Sequence, residues 1–120
     1  MSAFRITLEG GRTAFAPGET IAGEVAWNAP VPPGTLALRL FWYTQGKGTR
    51  DLGLAWEETL EAAACSGGRR FRVKAPDHPP SVSGKLVSIC WALEVIGSGA
   101  VERVDLVIGP RRRELVLGSV

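Results

Sequence analysis

Apolar side chains recur at every second position in run after run of this chain, and that period is what most restricts its fold. A strand turns successive side chains to opposite faces, whereas a helix repeats roughly every 3.6 residues, so a period of two calls for strands with one face on a core. Phe4, Ile6 and Leu8 alternate with Arg5, Thr7 and Glu9. Ile21, Val25 and Trp27 share a face with Gly23, where the missing side chain leaves room for a bulky neighbour or a bulge. Leu36, Leu38, Leu40 and Trp42 oppose Ala37, Arg39, Phe41 and Tyr43 in the most apolar stretch, read as a central strand. Phe71 and Val73 face away from Arg70, Arg72 and Lys74, and Val87, Ile89, Trp91, Leu93 and Val95 line one side of the longest run.

Turn signals separate these runs: Gly10-Gly11, the proline-rich Ala29 to Gly34, the polar Gln45 to Thr49, Gly67-Gly68, and Pro76 to Gly84. Val101 to Ile108 and Arg113 to Leu117 complete about eight strands at the spacing of a sandwich or barrel. Between Leu52 and Ala64 the alternation is weak; an amphipathic helix over Trp56 to Ala64 competes with a strand, and the strand is preferred. The expected fold class is therefore all-β, an antiparallel immunoglobulin-like β-sandwich of about 7 to 8 strands. With 120 residues, 45% hydrophobic and 22% charged, the chain has room for one core, and residues 1–120 are read as a single domain.

The formal net charge of +2 is too small to gather nucleic acid over the whole surface, so no nucleic-acid partner is expected. No stretch approaches the roughly 20 apolar residues of a transmembrane segment, and no leader pattern precedes Phe15, which makes the expected location cytoplasmic. Cys65 and Cys90 are read as free thiols. With one histidine, His78, ordinary zinc ligation is not expected. Asp77 and His78 are adjacent, but neighbours on an extended chain point apart, and no nucleophile is signalled beside them. The glycine pairs lack the strand-to-helix setting of a phosphate loop. Neither catalysis nor a cofactor is expected.

Two segments carry a resemblance. Phe15-Ala16-Pro17-Gly18-Glu19-Thr20-Ile21-Ala22-Gly23-Glu24-Val25 is similar to the aromatic-x-Pro-Gly-Glu turn and strand of the arrestin-like superfamily. Pro80, Ser81 and Gly84 stand before Ile89, Trp91, Leu93 and Val95 in the manner of that family's Pro-x-Ser-x-x-Gly loop and aromatic strand. The family includes arrestin-domain adaptors, the retromer subunit of arrestin fold and bacterial sporulation-control proteins. On the residues alone both segments have structural work: Pro17 presets φ, Gly18 can take a positive φ, and Ser81 can bond a neighbouring amide.

The resemblance implies a non-enzymatic adaptor or regulatory scaffold of bacterial type, half the size of a two-sandwich arrestin. Such a module captures a protein partner by a sheet edge or outer face, or pairs with itself as a homo-oligomer. Candidate interface residues are Phe41 and Tyr43, on the side of their strand away from Leu40 and Trp42; Trp56, expected to be exposed; and the outward Arg70 and Arg72. The alternative is a carbohydrate- or small-ligand-binding sandwich that uses Trp56 and Tyr43 as stacking surfaces.

Overall fold

In a computed structural model of the chain, residues 3–46, 50–97 and 99–117 are described. Most of the turn expected over Gln45 to Thr49, together with Ser98, lies outside them.

Seven long strands carry the fold: β1 (Phe4–Leu8), β3 (Thr20–Asn28), β4 (Gly34–Gly46), β5 (Leu52–Ala62), β6 (Ser66–Lys74), β8 (Val87–Gly97) and β9 (Ala100–Ile108). Three two-residue strands join them: β2 (Ala14–Phe15), β7 (Val82–Ser83) and β10 (Leu115–Val116). The region 52–62, where helix and strand competed, is strand. No α-helix forms among the described residues, only 3-10 turns at Glu9–Gly11 and Pro110–Arg112.

The strands build a sandwich of a small sheet, in the order β1-β3-β6, and a large one in which β10-β7-β8-β4-β5 is extended by β9 beside β8 and β2 beside β9. The long strands pair antiparallel throughout. The expectation of a purely antiparallel fold is corrected at the margins, where β2 runs parallel to β9 and β10 parallel to β7.

The alternating residues meet between the sheets. Ile21, Val25, Leu36, Leu38, Leu40, Trp91, Leu93, Val95 and Ile108 are fully buried, with Phe4, Phe15 and Phe71 nearly so. Gly23 is needed here for space: a Cβ on it would meet the Thr7 carbonyl and the Phe71 ring, so β1 and β6 close on β3 only around a glycine.

The two resembling segments both fasten at the C-terminal end of β9, Phe15 pairing with Ile108 and Ser81 bonding it. Gly18 takes φ +84°, and its amide donates to the Ala75 carbonyl at 2.8 Å. Ser81, buried, accepts from the Ile108 amide at 3.0 Å, and the Trp91 indole donates to the Pro79 carbonyl at 2.8 Å. The Pro-x-Ser crossing is thereby fastened to β9 on one side and β8 on the other.

Candidate functional site

The outer face of the large sheet is organised by β4, whose alternation turns Arg39, Phe41 and Tyr43 away from the core. Cross-strand pairing sets each in a row. Arg39 lies between Glu57 of β5 and Glu94 of β8, with Arg103 of β9 next; Phe41 lies between Leu54 and Ala92, then Asp105; Tyr43 lies between Leu52 and Cys90. Neighbours on one face of a sheet interact directly, so the first row is a ladder of alternating charge, and the other two form an apolar field from β5 to β8 that ends at Asp105 of β9.

The contacts follow that plan. Arg39 Nε donates to Glu57 Oε2 at 2.5 Å. The Arg103 guanidinium stands 5.0 Å from the Tyr43 ring centre and donates to its hydroxyl at 3.5 Å, while Arg103 Nε is 3.4 Å from Asp105. The rings of Phe41 and Tyr43 lie 6.0 Å apart. Partial burial, reinforced by the charge of Asp105, holds the Tyr43 phenol above its usual pKa, with Arg103 acting in the opposite sense.

Phe41 is only 7% exposed, although it points away from the core, whereas Leu52 and Leu54 beside it are 69% and 54% exposed. Between them runs a groove of about 190 Å³ lined by Arg39, Phe41, Leu52, Leu54, Glu57 and Glu94.

A β-bulge produces this surface. Leu40 pairs with Trp56 but Phe41 pairs with Leu54, so Ala55 is an extra residue that resets the phase of β5. Unbroken alternation puts Leu52, Leu54 and Trp56 on one side. The bulge keeps Trp56 inward with Leu60 and turns Leu52 and Leu54 out. The expectation for Trp56 is corrected: it is half-buried and packs against the core. Leu52 and Leu54 were missed for the same reason, and Gly53 between them was the available signal, since a strand glycine often marks a bulge or a close approach.

The remaining candidates lie elsewhere. Arg70 and Arg72 are exposed on β6, in the other sheet, and do not join the Phe41–Tyr43 surface. Tyr43 and Trp56 occupy opposite faces of the large sheet, so they form no common stacking platform. Asp77 and His78 are exposed. Among the described residues, no three of His, Cys, Asp and Glu come together as a metal site requires, and no helix is long and apolar enough to cross a membrane.

At the end of the sandwich, Glu19 accepts from the Ala16 amide at 2.6 Å, from Arg12, and from Arg112 through both Nε and Nη2. These bonds, Arg112 first, hold its carboxyl at a pKa of about 2. Both carboxylate oxygens of Glu19 are thereby engaged, and the two arginines tie its turn to neighbouring segments, which is a structural role.

These features define an all-β sandwich in which the Pro-Gly-Glu turn and the Pro-x-Ser crossing both fasten strands. No family model matches the chain, and no curated protein matches it in sequence. Among solved structures it is similar to Spo0M, the sporulation control protein from Bacillus subtilis, with a TM-score of 0.64 and 15% identity over 91% of this chain and 49% of that one. The chain thus spans about half the length of Spo0M, and the likeness is one of fold. Looser likenesses are to a β-glucosidase from Listeria innocua in complex with glucose (TM-score 0.48, 15% identity, 97% of this chain and 17% of that one) and to the alkylpurine DNA glycosylase AlkC from Pseudomonas fluorescens bound to DNA containing an abasic site analog (0.44, 13%, 91% and 31%).

Proposed function

We propose that this chain is a non-enzymatic protein-binding module of arrestin-like fold, an adaptor or regulatory scaffold, that docks through the outer face of its large sheet onto a second copy of itself. The observation that carries the reading is the exposure of Leu52 and Leu54 beside Phe41 and Tyr43, an apolar field on a face turned away from the core. Surfaces of this kind mark interaction sites.

The choice of occupant follows from charge. The flanking row Glu57–Arg39–Glu94–Arg103 alternates in sign, and two-fold pairing sets the same surface against itself, an arrangement that a row of one sign would oppose and this one permits. Ridge and groove also lie side by side, Leu52 and Leu54 standing next to the depression over Phe41. A partner of one dominant charge would leave half of the row unmatched.

Light scattering at micromolar concentration tests it. The native chain is expected to have the mass of a dimer, and a Leu52→Glu, Leu54→Glu variant with an unchanged circular dichroism spectrum that of a monomer. A monomeric native chain, or a variant that still pairs, overturns the reading.

A further inference from the structure

The small sheet carries a second surface of different chemistry. β6 is its outer strand, pairing with β3 and with no other strand among those described, so one edge of β6 offers main-chain donors and acceptors without a sheet partner. Such an edge is a template for another extended chain.

The charges on this sheet are one-sided. On the long strands, Arg39, Arg69 and Arg103 each lie within 4 Å of a carboxylate. Arg5, Arg70, Arg72 and Lys74 make no ion pair among the described residues, and all of them project from the outer face of the small sheet. The single acidic side chain on the same strands and face is Glu24, opposite Arg70. Between the cations the floor is low, made of Thr7, Thr20, Ala22, Ala26 and Gly68. Depressions of about 350 and 250 Å³ lie on the β3 side of Arg70 and Arg72, towards the 3-10 turn, where a second acid, Glu9, borders both.

We propose that the free edge of β6 takes up an extended acidic segment of a partner protein as a fourth strand. Residues two apart on a strand repeat at roughly 6.6 Å, so alternate carboxylates of the incoming segment come level with Arg70, Arg72 and Lys74. Its intervening residues fall on the inward side, beside Phe71 and Val73, where apolar side chains suit. The segment recognised is therefore acidic-apolar-acidic-apolar: main-chain bonds supply affinity, and the row of cations supplies selectivity. The same row repels basic or self-like strands, the ordinary use of charge at an edge. Four cations against Glu24 and the neighbouring Glu9 make a modest field, and the hydrogen-bonding edge beside it favours a peptide over a nucleic acid. This surface belongs to the other sheet and does not depend on the pairing proposed above.

The probe is a synthetic peptide of alternating Glu and Val, compared with an analogue of the same charge methylated at every backbone nitrogen, and with a single-stranded DNA oligonucleotide. The native chain is expected to bind the plain peptide, with new hydrogen-exchange protection at alternate amides of β6, and to lose roughly tenfold or more in affinity for the methylated analogue, which cannot complete a ladder. Arg70→Glu with Arg72→Glu is expected to cost a similar factor, and added salt to weaken binding. Absence of binding, equal binding of the methylated analogue, or tighter binding of the oligonucleotide overturns the proposal. The backbone-methylation comparison uses the native chain, so it decides even if the double variant fails to fold.

Discussion

Gly53 lies across the strand pair from Trp42, and its α-hydrogens face the indole so closely that a methyl group there would overlap the ring. Trp42 packs against the core from the end of β4. Together, the glycine and the bulge at Ala55 let β5 pass under the indole and then present Leu52 and Leu54 outward. Gly53→Ala forces one of these to yield. Overpacking of this kind costs about 1–3 kcal/mol, to be read as a lower denaturant midpoint with altered tryptophan fluorescence. A change within about 0.5 kcal/mol, the range of an ordinary surface substitution, would show that Trp42 has room to move.

Glu19 and Arg112 join the Pro-Gly-Glu turn to the segment after β9 through two hydrogen bonds, at 2.9 and 2.6 Å. With the bond from the Ala16 amide and the charge of Arg12, they lower the Glu19 pKa from 4.5 to about 2. Because the folded value is the lower one, the stabilisation is complete above the unfolded pKa and is lost as pH falls from about 4.5 towards about 2. Glu19→Gln is therefore expected to melt below the native chain at neutral pH, and the gap between the two is expected to close over that acid range. Calorimetry at stepped pH measures it; a gap independent of pH would show that the carboxylate charge contributes nothing.

Phe41 and Tyr43 were legible as outward residues because β4 keeps strict phase with the buried Leu36, Leu38 and Leu40. Leu52, Leu54 and Trp56 were not, because periodicity is a statement about unbroken ladders and a single extra residue inverts everything beyond it. The exposure of Arg70 and Arg72 followed from alternation with Phe71 and Val73. That β6 ends a sheet did not, since neighbours in a sheet are chosen by chain topology rather than by local pattern. The same holds for β2, β7 and β10. Two residues carry no period, and these strands exist because Thr13 to Phe15 and Ser81 to Ser83 are brought alongside β9 and the last segment.

Trp91 is fully buried, and its indole nitrogen donates to the Pro79 carbonyl. Trp91→Ala removes both the ring and the donor, with an expected loss of about 3–5 kcal/mol. Trp91→Phe keeps most of the apolar volume and is expected to cost less, chiefly through the unpaired Pro79 carbonyl. Urea titrations of both variants compare them. A loss below about 1 kcal/mol for the alanine variant would contradict the burial of the ring.

Cys65 and Cys90 are free thiols in different surroundings: Cys65 is exposed in the link between β5 and β6, whereas Cys90 is half-buried on β8 in the row of Leu52 and Tyr43. Alkylation without reductant is expected to modify both in the unfolded chain, and in the native chain Cys65 faster than Cys90, because attack requires access to the thiolate. Intact mass over time resolves the two steps. Failure of the unfolded chain to take up two labels would mean that the thiols are joined. The rates also report on the proposed pairing. If the outer face of the large sheet is covered by a second copy, raising the protein concentration through the dimerisation range slows the modification of Cys90 and leaves that of Cys65 unchanged. In the Leu52→Glu, Leu54→Glu variant the Cys90 rate is expected to lose this dependence. A Cys90 rate in the native chain that ignores concentration, while light scattering records a dimer, would place the contact on another surface.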